Sequence, residues 1–405
     1  MRGAEFLDKM ELVDPAFIEA ADANPKKRNN GWVKWGAIAA GFAIMIHAGT
    51  RLFIQESPGN IHNLSMLSIS EDTSGGMGFE GYMAYDVSEL VNANPWNEDL
   101  ELSTLPVYQN PLTYDANHIA SGADFDKMRE FLLEVASRLG LDTQEIAITD
   151  DVPDEETKQK IREKLQIGEE AIPEGYFDPT KLIMEAEGLV IEVDQSMTAN
   201  VFFEPAVSLP DKYNFTHFAP YEDVVAVAEY LKTEYKDFIG IENPQVNICG
   251  GDYTIYAQQM YSIEFFDASG NDAEQIINYN FNRVTFYCDD EGKLFLARIY
   301  QPDLSMKVGD YPIIDSQQAK ELLSKGNYIT TAPYEMPGLE YVEKVELGYR
   351  AGEREAYFMP YYRFYVELPE DERENGLKTY GAYYVPAVDG AYISNMPTWD
   401  GSLNE

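Results

Sequence analysis

Few residues in this chain combine the type and the spacing that catalysis or metal binding requires. The four histidines, His47, His62, His118 and His217, show no H-E-x-x-H pattern and no paired spacing. A zinc site needs several ligands that converge on one point. The sequence also has neither the G-x-S-x-G turn of serine hydrolases nor a phosphate-binding P-loop. We therefore predict neither a bound metal nor a cofactor.

The stretch "GMGFEG" places Gly76, Gly78 and Gly81 at the G-x-G-x-x-G spacing of dinucleotide-binding loops. In those proteins the glycines join a strand to a helix whose N-terminus binds the pyrophosphate. Here no such strand precedes the glycines, no clear helix follows them, and the setting is acidic. We interpret the stretch as a loop whose backbone conformation glycine permits.

The chain has two cysteines, Cys249 and Cys288, both in strand-like surroundings. Cys249 with His217 would give a nucleophile and a base, but no neighbour in sequence lowers the thiol pKa and no third partner is identifiable. Two interpretations remain open. The cysteines form a disulfide if this part of the chain is outside the cell, or they are buried thiols that pack as small hydrophobic residues.

Carboxylates dominate the charged residues, with 70 acidic against 30 basic side chains and a net charge of -40. Nucleic-acid binding needs clustered Lys and Arg to contact phosphates, so this composition argues against a nucleic-acid partner. The carboxylates are too numerous for a catalytic pair to be selected from the sequence alone. A hydrolase that uses such a pair therefore stays an alternative.

The C-terminal strands are rich in tyrosine, and in a two-faced sheet half of these side chains point away from the core. One interpretation is an aromatic groove that binds a peptide or a protein partner, since tyrosine gives large contact area at low entropic cost. The other is an aromatic sheet packed under its helix, with the hydroxyls at the rim. The candidate partner-binding residues are Tyr349, Tyr357, Tyr361, Tyr362, Tyr365, Tyr383 and Tyr384.

Helical patterns alternate with groups of strands along the chain. Apolar spacings of three and four residues, together with N-caps and glycine stops, predict helices in "DFDKMREFLLEVASRLGL", "DEETKQKIREKL", "YEDVVAVAEYLKTEYKDFIG" and "DSQQAKELLSKG". Alternating residues predict a hairpin in "LVIEVDQSMTANVFFEP" and strands near Thr254–Phe266, Tyr279–Cys288 and Lys293–Tyr300, the last two joined by a "DDEG" turn. This recurring helix followed by antiparallel strands predicts an α+β fold. We divide this part of the chain into a first α+β region (77–210), a second unit (211–312) and a third unit (313–405).

One segment near the N-terminus is typical of a membrane anchor. Trp35 to Thr50 has no charged side chain and would span roughly 24 Å as a helix. Tryptophans and basic residues on its flanks suit the membrane interface and extend it to a transmembrane helix at 31–54. The cluster "KKR" before it predicts a cytoplasmic tail at 1–30, and a linker at 55–76 leads to an extracytoplasmic bulk.

The C-terminal part resembles a known family. The stretches "YNFNRVTFYCDDEGKLFLARIY", "GDYPIIDSQQAKELL", "LGYR", "PYYRFYV" and "YYVPAVDG", within residues 279–395, are similar to the PepSY-like repeats of YycH/YycI-type regulators. Those are single-pass membrane proteins of Gram-positive bacteria. With "FIEAADANPKKR" and "WVKWGAIAAG", the layout also resembles single-pass membrane proteins of gut Clostridia and the anti-sigma-factor arrangement. The segment before the anchor is shorter than an anti-sigma domain.

The resemblance implies a sensing or regulatory role rather than a reaction. We therefore expect a membrane-anchored, non-enzymatic protein whose extracytoplasmic part contacts a peptide or an envelope protein. A cytosolic regulator such as a sigma factor is the expected partner for the tail. An extracytoplasmic hydrolase and a solute- or glycan-binding module are the alternatives.

Overall fold

The structure is a computed structural model, and it describes only part of the chain. The described residues are 64–70, 83–84, 91–115, 117, 119–143, 146–165, 172–186, 188–253, 259–330, 332, 334–352, 354–369 and 378–401. The predicted tail, the predicted transmembrane helix, the "GMGFEG" glycines and three of the histidines lie outside them. Among the described residues, no helix has the length and apolar character needed to cross a membrane.

Antiparallel strands and six helices make up the described fold, which confirms the predicted α+β class. In chain order the strands are β1 (Met83–Ala84), β2 (Thr104–Gln109), β3 (Thr113–Tyr114), β4 (Ala120–Ser121), β5 (Ile148–Asp150), β6 (Lys181–Ala186), β7 (Leu189–Asp194), β8 (Thr198–Val207), β9 (Pro244–Tyr253), β10 (Gln259–Asp267), β11 (Arg283–Cys288), β12 (Leu294–Tyr300), β13 (Lys307–Pro312), β14 (Ile329–Thr330), β15 (Val342–Arg350), β16 (Tyr357–Glu367) and β17 (Tyr380–Pro386). The helices are α1 (Phe125–Arg138), α2 (Glu155–Leu165), α3 (Tyr221–Glu234), α4 (Lys236–Ile239), α5 (Asp272–Phe281) and α6 (Ser316–Ser324).

The predicted helices form where the capping and apolar patterns place them, except that the one predicted over "YEDVVAVAEYLKTEYKDFIG" is divided at Tyr235 into α3 and α4. In α6 the Asp315 side chain accepts the Gln318 backbone N–H, and the Gln318 side chain accepts the Asp315 backbone N–H. This capping box supplies partners for backbone groups that the helix itself leaves unpaired. Helix α4 ends at Gly240, whose φ of 63° lies in the left-handed region that glycine adopts without strain.

Helix α5 was not predicted, and the strand expected to start at Tyr279 starts instead at Arg283. Asn271 and Glu274 form a reciprocal capping box at the start of this helix. Ile276 and Tyr279 then lie three residues apart on its buried side. The cap and this spacing were both present in the sequence, but the alternating residues that follow were read as one longer strand.

The first sheet has eight strands in the order β5-β6-β7-β8-β12-β11-β10-β9. One face carries the apolar residues of each strand and packs under α1, α3 and α4, which together form the largest core. Alternation along each strand therefore places the remaining, more polar residues on the opposite face. Side chains of this polar face line the candidate site.

The second sheet has seven strands, with β1-β17-β16-β2-β13 in sequence across it, β14 on β17 and β15 on β16. Helices α5 and α6 cover one face and form a core rich in aromatic residues. Each of the two sheets takes strands from more than one of the regions predicted from the sequence: β8 pairs with β12, and β2 pairs with β13. Strands β3 and β4 form a separate two-stranded sheet.

The predicted linker at 55–76 contains a segment that packs as part of the fold. Leu67 is fully buried, and it makes a parallel bridge with Ile393. The Ile69 N–H donates to Oδ1 of Asn395 at 2.8 Å, and the Asn395 amide donates back to the Ile69 carbonyl at the same distance. Residues 64–70, which we call the N-terminal strap, thus cover the face of the second sheet that α5 and α6 leave open.

Replacing Leu67 by Ala should lower the free energy of unfolding by about 2 to 5 kcal/mol, since it removes a fully buried side chain and leaves a cavity. Urea denaturation of the full chain in detergent measures the loss. The matched control is Met66→Ala at the neighbouring position, whose side chain is 54% exposed. If both substitutions lowered the free energy of unfolding by the same small amount, the result would contradict the burial of the strap residue Leu67.

Candidate functional site

A cleft of about 600 Å³ is lined by side chains from both sheets. Its lining includes four arginines, Arg283, Arg298, Arg350 and Arg363, against three acidic residues. The whole chain has twelve arginines and a net charge of -40. One third of the arginines of this acidic protein therefore line one concave surface.

The polar face of the first sheet contributes a continuous row of side chains across five strands. Cross-strand register joins neighbours in the order Asn200, Arg298, Thr285, Glu264 and Asn247. Side chains directly opposite one another on neighbouring strands lie about 5 Å apart at their Cβ atoms. The row therefore forms one continuous polar surface, although its members are spread over nearly a hundred positions of sequence.

Glu264 is the carboxylate of this row and lies between Thr285 and Asn247. The Asn247 amide donates to its Oε2 at 2.9 Å, and Nη1 of Arg283 lies 3.6 Å from its Oε1. The Thr285 hydroxyl donates to the same Oε1 at 3.4 Å. Glu264 is thus engaged by a neutral amide, a hydroxyl and a guanidinium of its own sheet.

Glu346 on β15 holds the wall that the second sheet contributes. Its side chain is only 3% exposed, and its two oxygens accept Nη2 of Arg363 at 2.6 Å, Nζ of Lys344 at 2.9 Å and the Asn92 amide at 2.6 Å. Burial acts to raise the pKa of Glu346, but the two cations and the Asn92 amide outweigh it and lower this pKa to about 2. Glu346 is therefore ionised throughout the neutral range.

The segment 91–97, "VNANPWN", connects the edges of the two sheets. The Ala93 N–H donates to Oδ1 of Asn247 on β9 at 2.8 Å, while Asn92 binds Glu346 on β15. The Asn94 amide also donates to the Leu347 carbonyl at 3.2 Å. The side chains of Asn92 and Asn94 thus bind the second sheet while the backbone of Ala93 between them binds the first, and the segment fixes one end of the cleft.

Arg350 and Arg298 differ in how the protein engages them. Arg350 forms a buried ion pair with Glu355, and its guanidinium lies 5.2 Å from the ring centre of Tyr361. Burial raises the pKa of Glu355, although Arg350 opposes that shift. Arg298 is exposed in the cleft; its Nε donates to Oδ1 of Asn200 at 2.9 Å, and its guanidinium lies 5.4 Å from the ring centre of Tyr287.

The structure divides the seven tyrosines proposed from the sequence. Those that point under α5 and α6 donate their hydroxyls to backbone carbonyls at 2.8 to 2.9 Å: Tyr349 to Pro106, Tyr362 to Ile314 and Tyr383 to Tyr334. On the other face of the sheet, Tyr361 and Tyr384 are buried in the core beneath the N-terminal strap. Together with Tyr365 they form part of the floor of the cleft, which Tyr349 also borders. Tyr357 is half-buried and packs beside the N-terminal strap.

The disulfide considered between Cys249 and Cys288 is not formed, and both cysteines are free thiols. Cys249 lies on the cleft side of the first sheet, where the Asn247 amide contacts its sulfur at 3.2 Å. Cys288 lies on the opposite, apolar face, with its Sγ 3.7 Å from Nδ1 of His217. A sheet separates the two sulfurs. Burial raises the pKa of both thiols, that of Cys288 to about 11, so neither is an activated nucleophile.

Sequence reasoning did not select Asn92, Asn247, Glu264, Arg298 or Arg363. The available signal was a polar residue at every second position of otherwise apolar strands, as in "VNICG", "SIEFF", "RVTFY" and "LARIY". Such alternation indicates that one face of a sheet is polar. It does not indicate which strands are neighbours, so it could not assemble the row.

The walls of the cleft are polar and partly cationic. Within the part of the chain that the structure describes, no group of three or more His, Cys, Asp or Glu side chains is arranged to hold a metal ion. Comparison with protein families and with curated proteins finds no match to this chain. Conclusions about the cleft therefore depend on its own geometry.

Replacing Glu346 by Gln should destabilise the protein in a pH-dependent way. The folded-state pKa is lowered from 4.5 to about 2, so ionised Glu346 stabilises the fold by about 3 kcal/mol above pH 5. This contribution is lost as the pH falls from about 4.5 toward 2, and the two proteins should then become equally stable. Urea denaturation between about pH 2 and pH 7 measures this difference in the free energy of unfolding.

The control for this experiment is Glu343→Gln, an exposed carboxylate on the same strand. Its loss should change the free energy of unfolding by less than about 0.5 kcal/mol. The assignment of Glu346 as a buried ionised group would be contradicted by one result. This is a stability difference between the Glu346→Gln variant and the unsubstituted protein that stays constant, or grows, toward acidic pH.

Proposed function

We propose that this protein is a non-enzymatic binding protein whose cleft takes a peptide, either free or as part of an envelope protein. The observation that carries this proposal is the cleft itself, which combines four arginines with several tyrosines on one concave surface. Arginine and tyrosine are the residue types that dominate protein and peptide recognition sites. The volume of about 600 Å³ lies within the usual range for ligand pockets.

A carboxylate-dependent hydrolase is the alternative that the cleft itself raises, because Glu264 and Glu346 both line it. A general acid needs a pKa raised toward the working pH. The pKa of Glu346 is instead lowered to about 2 by its cationic partners and its amide partner, against the effect of burial. Glu264 is already bound by Asn247, Thr285 and Arg283. These contacts favour a structural role for both carboxylates.

The membrane anchor and the PepSY-like repeats belong to the same proposal. The sequence patterns at 31–54 support a single anchor with the bulk of the chain outside the cytoplasm. Each sheet of the described fold carries helices on one face, as a helix-plus-sheet unit would, although each sheet takes strands from more than one of the units predicted from the sequence. A sensing protein of this layout would bind its ligand outside the membrane and report it through the anchor, with the tail as the site for a cytosolic regulator such as a sigma factor.

Peptide binding is tested with the full chain in detergent, immobilised and exposed to a pool of synthetic random dodecapeptides with free termini. We expect retention of a subset of intact peptides, identified by mass spectrometry. Ser262→Tyr places a large side chain into the cleft and should lower retention about tenfold, equivalent to about 1.4 kcal/mol of binding free energy.

The control variant is Ser208→Tyr, an exposed position that does not line the cleft. It should retain peptides as the unsubstituted chain does. Equal retention by the Ser262→Tyr variant would place binding elsewhere. Recovery of shortened peptides would instead support the hydrolase alternative.

Topology is tested by adding protease to intact cells that make the chain with one epitope tag at each end. The proposed orientation predicts loss of the C-terminal tag and survival of the N-terminal tag on a short, protected fragment, because the basic cluster stays inside. Permeabilised cells, in which both tags are accessible, serve as the control. Protection of the C-terminal tag in intact cells would reverse the topology.

A further inference from the structure

We infer that Arg298 is the recognition point for a carboxylate group of the bound peptide. This inference rests on the proposed function, because it assigns the ligand chemistry of the same cleft. Arg298 is the second residue of the polar row of the first sheet, between Asn200 and Thr285. It is exposed to the cleft that its neighbours line.

The four cleft arginines are not equivalent in their ion pairing. Arg363 pairs with Glu346, Arg350 with Glu355, and Arg283 with Glu264. Among the residues that the structure describes, no carboxylate lies within ion-pair distance of Arg298. Its charge is therefore the one in the cleft that the described fold does not neutralise by a direct ion pair.

The guanidinium of Arg298 is also held in place for recognition. Its Nε is fixed by Asn200, and its plane lies over the ring of Tyr287. A guanidinium carries five N–H donors in a rigid fork, and a carboxylate can accept two of them in parallel. Nε donates to Asn200 and one N–H of Nη1 donates to the Tyr287 hydroxyl at 3.5 Å, which leaves the second N–H of Nη1 and the two of Nη2 for a ligand.

The charge of the whole chain limits which anions can bind here. A net charge of -40 repels polyanions from the protein surface. A ligand with a single carboxylate is attracted by the arginines of the cleft at short range. Its one negative charge is repelled only weakly by the acidic surface, because salt screens charges that lie far apart. The chemistry therefore points to a peptide that presents one carboxylate, either at its C-terminus or on one acidic side chain.

The test uses three pools of synthetic dodecapeptides on the full chain in detergent. The first lacks Asp and Glu and has free C-terminal carboxylates. The second is the same pool with amidated C-termini, and the third is amidated with one Glu at the centre. We expect the first or the third pool to be retained about tenfold more than the second, since a charge-assisted hydrogen bond is lost on amidation.

Arg298→Gln should remove this preference, and Arg298→Lys, which keeps the charge but not the fork, should keep part of it. Arg129→Gln, an exposed arginine on α1 outside the cleft, is the control and should keep all of it. Because the preference is a ratio between pools on one protein sample, a modest loss of folded protein does not change it.

The outcomes separate the inference from the proposed function. Preference for the first pool assigns a C-terminal carboxylate, and preference for the third assigns an acidic side chain; both support recognition by Arg298 if Arg298→Gln abolishes them. Equal retention of all three pools, or a preference that survives Arg298→Gln, would overturn the inference while peptide binding stands. Retention of none of the pools by the unsubstituted chain would overturn both.

Discussion

The buried charge of Glu346 is the constraint on which the arrangement of the two sheets depends. A carboxylate removed from water must be compensated by cations and hydrogen bonds, or the fold loses several kcal/mol. Its partners come from three places: its own strand β15, the neighbouring strand β16 and the segment 91–97. That segment in turn binds Asn247 at the edge of the first sheet. Satisfying one charge therefore fixes where the sheets meet.

The same constraint explains why the space between the sheets is polar. An apolar interface of this size would have been covered by packing, as the helix-bearing faces are. Here the facing strands carry asparagine, glutamate and arginine at alternate positions, and these groups need partners or water. The cleft stays open because its walls are stabilised by their own hydrogen bonds rather than by contact with each other. A ligand can then occupy it without first displacing a packed core.

Local structure was largely predictable from the sequence, whereas the candidate site was not. The caps at Asp315 and Gln318, the stop at Gly240 and the "DDEG" hairpin are short-range signals, and each was read correctly. Helix α5 was missed because its weakly apolar residues run into a strand pattern. The cleft depends on the pairing of strands that are far apart in sequence, such as β8 with β12. Alternating residues show which side chains of a strand share one face of the sheet, but they do not show which strand lies beside it.

The N-terminal strap has a consequence for how the chain reaches its native state. The hydrogen bonds between Ile69 and Asn395 join residues 326 positions apart in the sequence. Contacts of such long range form late, because the entropy of closing the loop must be overcome before they contribute. During synthesis the strap emerges 326 positions before its partner Asn395. Until Asn395 is made, the apolar side chains of Leu67 and Ile69 lack their native contacts, and in this interval the chain is exposed to misfolding and to chaperone binding.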